Sequence, residues 1–325
     1  MKNEINIDCY GGYYGDGWSE IILEDYLFRF VFADDKKQGL AFHYAMFTSY
    51  IATSLSGIRR YPVKRRIALL VEPGSGAQFV IKPYLAMHFQ HVFTHNRKLL
   101  ERKQNYRMQL YGTKWVPDHP GGVYKKNHLV SFIGGRHENP KGGHIFRNEV
   151  VDFLLNTDVR SHCYGKGIKP VKSKLEALSG YCFSITMENG CEDYYFTEKI
   201  IDCFFCDTVP LYWGCPSIAE FFDYRGMIIF KNIDDLHSII NGLSHEKWKL
   251  MLPYVQINRK KAEDMLLSDP VGFNMRIARS LLELEVPINC RPIKIRPTLY
   301  NFLARCYRGL RRLSRTGVAN HTVFD

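Results

Sequence analysis

The sequence predicts an α/β protein made of two facing Rossmann-like domains and a C-terminal basic amphipathic helical tail. Three observations carry this. The second half alternates short strand-like runs with helical patterns, the order that builds βαβ units and a parallel sheet. At 325 residues the chain has room for two domains of ordinary size. With 46% hydrophobic and 14% aromatic residues it can fill two cores, which excludes a disordered chain. The expected organisation is a first domain over 1–120, a second over 121–290 and the tail over 291–325.

In the second half, strands are expected at 128–134, 159–164, 181–187, 209–213 and 227–230. Helices are expected at 147–156, 172–178, 197–206, 217–222 and 233–243. The first half repeats the theme less clearly, with strands at 5–10, 67–71 and 92–94 and helices at 83–89 and 96–103. The turn-rich run PDHPGGVYKK at 117–126 reads as a linker. No internal repeat interrupts this pattern.

Charge and cysteines bound the function. The formal net charge is +11, and eight of the 44 Lys and Arg fall from Arg291 onward against one acid, Asp325. The body is therefore mildly basic, as suits an anionic ligand, and the tail carries most of the field. Nine cysteines are scattered among apolar runs. Cys203 and Cys206 form a CxxC with no second pair beside it, so buried free thiols in a reducing cytosol are expected rather than a metal or redox centre. No run approaches the length of a membrane span, and Met1 to Asp8 reads as no secretory leader. A cytoplasmic setting follows as an expectation.

The chemistry concentrates in 183–216, FSITMENGCEDYYFTEKIIDCFFCDTVPLYWGCP. A buried strand ends at Glu188, Asn189 and Gly190, a polar turn follows, and Thr197 is placed to cap a helix. The first turn of a helix after a parallel strand offers free N–H groups and partial positive charge, an anion site. Lys199 adds a point charge for a diphosphate. Tyr195 could pack on a base or ribose, and Glu198 could accept from sugar hydroxyls. Strand–turn–helix units are common enough that an ordinary surface remains the alternative on these residues alone.

Glu188-Asn189, then Tyr195 to Lys199, then Thr208 to Gly214 (TVPLYWG) resemble the three-block signature of the α1,3-fucosyltransferase-like glycosyltransferases, family ten. Upstream, Ser131 to Gly135 followed by Phe146-Arg147-Asn148 is similar to the family's strand, loop and Arg-Asn pair. The resemblance covers roughly 129–243. It implies a GT-B fold with the nucleotide in the C-terminal half, and inverting transfer from GDP-β-L-fucose without metal or other cofactor. Arg147, Asn189, Tyr195, Glu198 and Lys199 would line the donor site, with Arg147 gripping the diphosphate.

Inverting transfer needs a base for the acceptor hydroxyl. The family carries a glutamate at the end of a first-domain strand, which implies Glu72 here, although this chain reads Val71-Glu72-Pro73 where the family has Gly-Glu-Asn. Glu198 joins Glu72 as a catalytic candidate. His88, His91 and His95 fit a helix and strand surface better. The loop GGYYGDGW at 11–18, with Tyr13, Tyr14 and Trp18, reads either as an acceptor loop or as a plain connection.

In the tail, Leu299, Phe302, Leu303, Cys306, Leu310 and Leu313 fall on one helical face among arginines. The stretch 299–315 can lie at an anionic membrane, at the inner face, or dock on the body. The expected partners are a nucleotide sugar and an oligosaccharide or lipid-linked glycan acceptor, with no nucleic acid. The alternatives are a glycosyltransferase using another nucleotide sugar, and a non-catalytic sugar- or nucleic-acid-binding protein.

Overall fold

The structure is a computed structural model that describes residues 2–294 apart from 12–16, 34–35, 55–57, 104, 119–120, 158–160, 166, 270 and 285–290. Tyr13, Tyr14 and the stretch 299–315 lie outside the described residues. The described residues form two compact units, one from those before His95, 98–109 and 274–294, the other from 95–97 and 110–273.

The first unit contains β1 (Asn3–Tyr10), β2 (Trp18–Leu23), β3 (Tyr26–Val31), β4 (Ala41–Phe42), β5 (Tyr44–Thr48), α1 (Tyr50–Ser54), β6 (Arg66–Leu70), α2 (Ala77–Ile81), β7 (His91–Thr94), α3 (Arg97–Leu100) and β8 (Tyr106–Met108). Its main sheet runs β2-β3-β1-β5-β6-β7-β8. Every neighbouring pair is parallel except the β2–β3 hairpin. β6 is buried at all five residues, as a central parallel strand covered on both faces must be. Phe47, Phe79, Val92 and Leu99 pack in the core around it.

The hairpin was not foreseen. Its Trp18 is 39% exposed and lies opposite Val31, with the Arg29 guanidinium over its ring. Trp18 is thus an edge-strand residue. The helix expected at 83–89 is a 3-10 segment, Pro83–His88. The one expected at 96–103 is the single turn α3, closed where Lys103 turns to a φ of 58°.

The second unit contains β9 (His128–Ile133), α4 (Gly143–Asn156), β10 (Ser161–Tyr164), α5 (Lys174–Leu178), β11 (Tyr181–Met187), α6 (Glu198–Phe205), β12 (Val209–Trp213), β13 (Ile228–Ile229), α7 (Ile233–Asn241) and α8 (His245–Asp264). After it come α9 (Gly272–Glu283) and β14 (Ile293–Lys294), the latter pairing antiparallel with β4. The second sheet is parallel throughout, in the order β10-β9-β11-β12-β13. From β9 the chain passes to β10 on one side and then to β11 on the other. The carboxyl ends of β9 and β11 therefore flank the point where winding reverses, the place where open α/β sheets bind ligands.

The β-strand and α-helix readings for this half survive with shifts of a few residues. α4 begins a turn earlier than expected, and the helix expected at 217–222 is a 3-10 turn, Ile218–Glu220. The turn-rich run 117–126 is tied to the second unit. Lys126 Nζ donates to Ser179 O at 3.0 Å, Cys206 O at 2.6 Å and Thr208 Oγ1 at 3.0 Å.

Candidate donor site

A cavity of about 460 Å³ opens in the second unit and is bounded by the loop after β9, α4, α5 and the start of α6. Its charged lining includes Arg147, Lys174, Glu198, Lys199 and Asp202. Two glycines let its backbones close up. A Cβ on Gly143, the first residue of α4, would sit 2.7 Å from Asn189 O. Gly165, at a φ of 135°, brings its Cα side to Gly134 O, where a Cβ would fall at 2.4 Å. Neither position has room for a side chain.

Arg147 reaches into this space from the first turns of α4 and is 6% exposed. Its Nη2 donates to Met187 O at 2.7 Å and to Asn189 Oδ1 at 2.9 Å. Its Nη1 meets His144 Nδ1 at 3.3 Å. Burial, then the Arg147 charge, lowers His144 to about 4, so the ring is neutral and Nδ1 is the accepting nitrogen. All three partners of this guanidinium are neutral. Burial draws Arg147 down from its ordinary value, opposed by the nearby Glu188 charge, but leaves it a cation at any ordinary pH. Glu188 and Glu198 offset part of the cost of burying this charge from beyond hydrogen-bond range, and an anion bonded to the guanidinium would offset more.

Asn148 does a different job. Its side-chain amide exchanges hydrogen bonds with the backbone of His137, Oδ1 to N at 3.0 Å and Nδ2 to O at 2.8 Å, which clamps the loop after β9 onto α4.

The opposite wall is the start of α6. Thr197 caps it as expected, its hydroxyl accepting from the Lys199 N–H. Glu188, fully buried at the end of β11, accepts from Thr197 N at 2.9 Å and Thr197 Oγ1 at 2.7 Å. Burial pushes the Glu188 carboxyl above the ordinary range, though Lys199 and the Thr197 donors pull the other way. Lys199 Nζ lies 3.0 Å from Thr197 Oγ1, 3.2 Å from Glu198 Oε1 and 3.8 Å from Glu188 Oε2.

Glu198 is 6% exposed and carries a second ion pair, to Lys174 Nζ at 3.1 Å. Burial alone would raise its carboxyl, but Lys199 and Lys174 outweigh that and hold it at about 2. A carboxylate so stabilised stays ionised near neutrality, which suits it to accept hydrogen bonds and makes it a weak base.

The structure brings Arg147, Asn189, Glu198 and Lys199 together. Tyr195 is placed otherwise: its ring is 1% exposed, packed beside His95 at 5.2 Å and Tyr111 at 6.1 Å, and is not part of the cavity lining. Glu72 lies in the first unit, just beyond β6, where its carbonyl accepts from Ser75 N at 3.0 Å. His91 is buried at the start of β7 and neutral, lowered to about 4 by burial. His95 pairs with Glu192 at 3.2 Å. Cys203 and Cys206 are both free and buried, as the sequence suggested.

Sequence reasoning passed over Lys174, Asp202, His144 and the buried carboxylate of Glu188 as site residues. Of these Glu188 and Asp202 stood inside the quoted stretch 183–216, Asp202 one helical turn after Glu198; Lys174 and His144 are joined to the site by folding alone.

Two Rossmann-like α/β units, one with a cation-lined cavity at its winding reversal, have the architecture of the GT-B fold. No family model matches the chain. Over 102 residues, 31% of this chain, it is 36% identical to alpha-(1,3)-fucosyltransferase FucT of Helicobacter pylori, and the match covers 20% of that protein. The chain thus spans about a fifth of the length of this curated relative. A crystal structure of α1,3-fucosyltransferase superposes with a TM-score of 0.53 at 19% identity, covering 92% of this chain and 93% of that one. An α1,3-fucosyltransferase crystallised with GDP gives 0.51 at 21% identity, over 77% and 82%. The resemblance to α1,3-fucosyltransferases expected from the three blocks is borne out by these likenesses.

Proposed function

We propose that this chain is a glycosyltransferase that moves L-fucose from GDP-β-L-fucose to a hydroxyl of a glycan acceptor, with inversion at the anomeric carbon. The observation that carries the reading is Arg147, a buried guanidinium whose hydrogen-bond partners among the described residues are all neutral, facing a cavity whose other cations include Lys199 at a capped helix start. The resemblance to fucosyltransferases supports the choice of GDP-fucose as donor.

In this reading the acceptor oxygen forms a bond to the fucose anomeric carbon while that carbon's bond to the β-phosphate oxygen breaks. The electron pair leaves with GDP. Arg147 and Lys199 meet the growing negative charge with groups already in place, which costs less than reorganising water. The acceptor's proton goes to a base, for which Glu72 is our assignment. Glu198 accepts from hydroxyls of the donor, and Asn189 acts through Arg147 by fixing its fork.

Oligosaccharide or lipid-linked glycans are the acceptor classes, and the basic stretch 299–315 would keep the chain at the inner face of a membrane. Mass spectrometry over a panel of nucleotide sugars tests the donor. GDP-fucose should be consumed, by hydrolysis or transfer, at least tenfold faster than UDP- or CDP-sugars. Consumption of a UDP-sugar alone would end the fucose reading.

A further inference from the structure

We infer that Lys174 is a positioning residue of the donor site, which pins one oxygen of Glu198 and leaves the other turned to the hydroxyls of the donor. The inference rests on the reading of the cavity as a nucleotide-sugar site and adds a residue that the α6 motif does not contain.

Lys174 is the first residue of α5, with a side chain 13% exposed and seated 4.3 Å over the Trp115 ring. Its ammonium bridges two carboxylates on α6, Glu198 Oε1 and Asp202 Oδ2, each at 3.1 Å. Asp202 is itself held. Its Oδ1 accepts from Trp115 N at 2.7 Å and Val116 N at 3.2 Å. The chain of contacts thus runs from the backbone at 115–116 through Asp202 and Lys174 to Glu198.

Both ammonium groups that reach Glu198 land on the same atom. Lys174 and Lys199 share Oε1, at 3.1 and 3.2 Å. Glu198 lines the cavity, so Oε2 is the atom left to accept from a ligand. A carboxylate accepts with both oxygens only while ionised. The charged groups facing it are Lys174 from α5, Lys199 and Asp202 on α6, Glu188 from the end of β11 and Arg147 from α4. Remove Lys174 and burial with two neighbouring acids acts against one near ammonium. Glu198 then takes up a proton closer to neutrality, and Oε2 can become a donor.

The test is donor kinetics from about pH 6 to pH 8 on the full chain. Wild type should show little change of donor KM over this range. In Lys174→Met, donor KM should rise about tenfold or more between pH 8 and pH 6, with kcat changing less. Lys174→Met with Glu198→Gln should lose the pH dependence while keeping a raised KM. Lys174→Met with Asp202→Asn removes the second stranded carboxylate and controls for folding; it should keep the acidic limb.

A Lys174→Met profile parallel to wild type overturns the inference. So does a limb that survives Glu198→Gln, or full recovery of donor KM with Asp202→Asn, which would make Lys174 a purely structural partner of Asp202. A wild type that binds no GDP by calorimetry at any pH overturns the cavity reading and this inference with it. A wild type that binds while the variants titrate alike overturns the inference only.

Discussion

Arg147→Ala should weaken GDP binding by about two orders of magnitude while leaving guanosine binding nearly unchanged. A guanidinium carries five N–H groups. Two on Nη2 go to Met187 O and Asn189 Oδ1, and one on Nη1 goes to His144 Nδ1. That leaves Nε–H and one Nη1–H for a phosphate. Hydrogen bonds to charged groups are worth roughly 1.5–3 kcal/mol each. Two such bonds, less than fully additive, give about 3 kcal/mol, a little over 100-fold in Kd. Arg147→Lys keeps the charge without the fork and should cost about tenfold. The assay is calorimetric titration of GDP and guanosine against wild type and both variants, with thermal unfolding run alongside to confirm the fold. A loss below threefold for GDP in Arg147→Ala, or an equal loss for guanosine, would refute the reasoning.

Other outcomes follow from the same geometry. Glu72→Gln should leave GDP affinity within about twofold and lower transfer by roughly 10²–10⁴, read by calorimetry and by product mass spectrometry. Gly143→Ala drives a methyl against Asn189 O and should lower stability in urea by about 1–3 kcal/mol, with GDP binding weakened through the displaced Asn189. Glu198 is held at about 2, below its ordinary 4.5, so the native state binds fewer protons than the unfolded chain. That contribution, on the order of 3 kcal/mol, is present above about pH 4.5 and is lost as pH falls towards 2. Asp202 is shifted upward, mainly by burial, and opposes it. Urea melts across this window should show a shallower acid loss in Glu198→Gln than in wild type; an identical slope would count against the ion-pair account.

The second sheet was legible because its strands are short apolar runs between helical patterns. β11, buried at all seven residues, was read to the residue. β12 was as clear, for the same reason. The hairpin β2–β3 hid because one face is polar and wet: Glu20 and Arg29 pair across it at 2.7 Å, and Glu4 of β1 joins them at 2.6 Å. Such a segment reads as a loop until its partner strand is known. α8 carries Pro253 inside it and buries only scattered residues among its charges, which blurs the helical period. At the site, Thr197, Glu198 and Lys199 were visible because capping and helix-start chemistry are local. Lys174 lies in a polar run with no such signal, and its link to Asp202 spans 28 residues of chain. The turn-rich run 117–126 looked like a linker by composition, yet Lys126 buries its ammonium against three acceptors of the second unit.

The most direct measurement is a crystal structure of the chain with GDP. The account predicts β-phosphate oxygens within about 3 Å of the Arg147 guanidinium and the Lys199 ammonium, at the α4 and α6 starts, with Glu198 Oε1 still bridged to Lys174. Nucleotide bound elsewhere, with this cavity filled only by water, would contradict it.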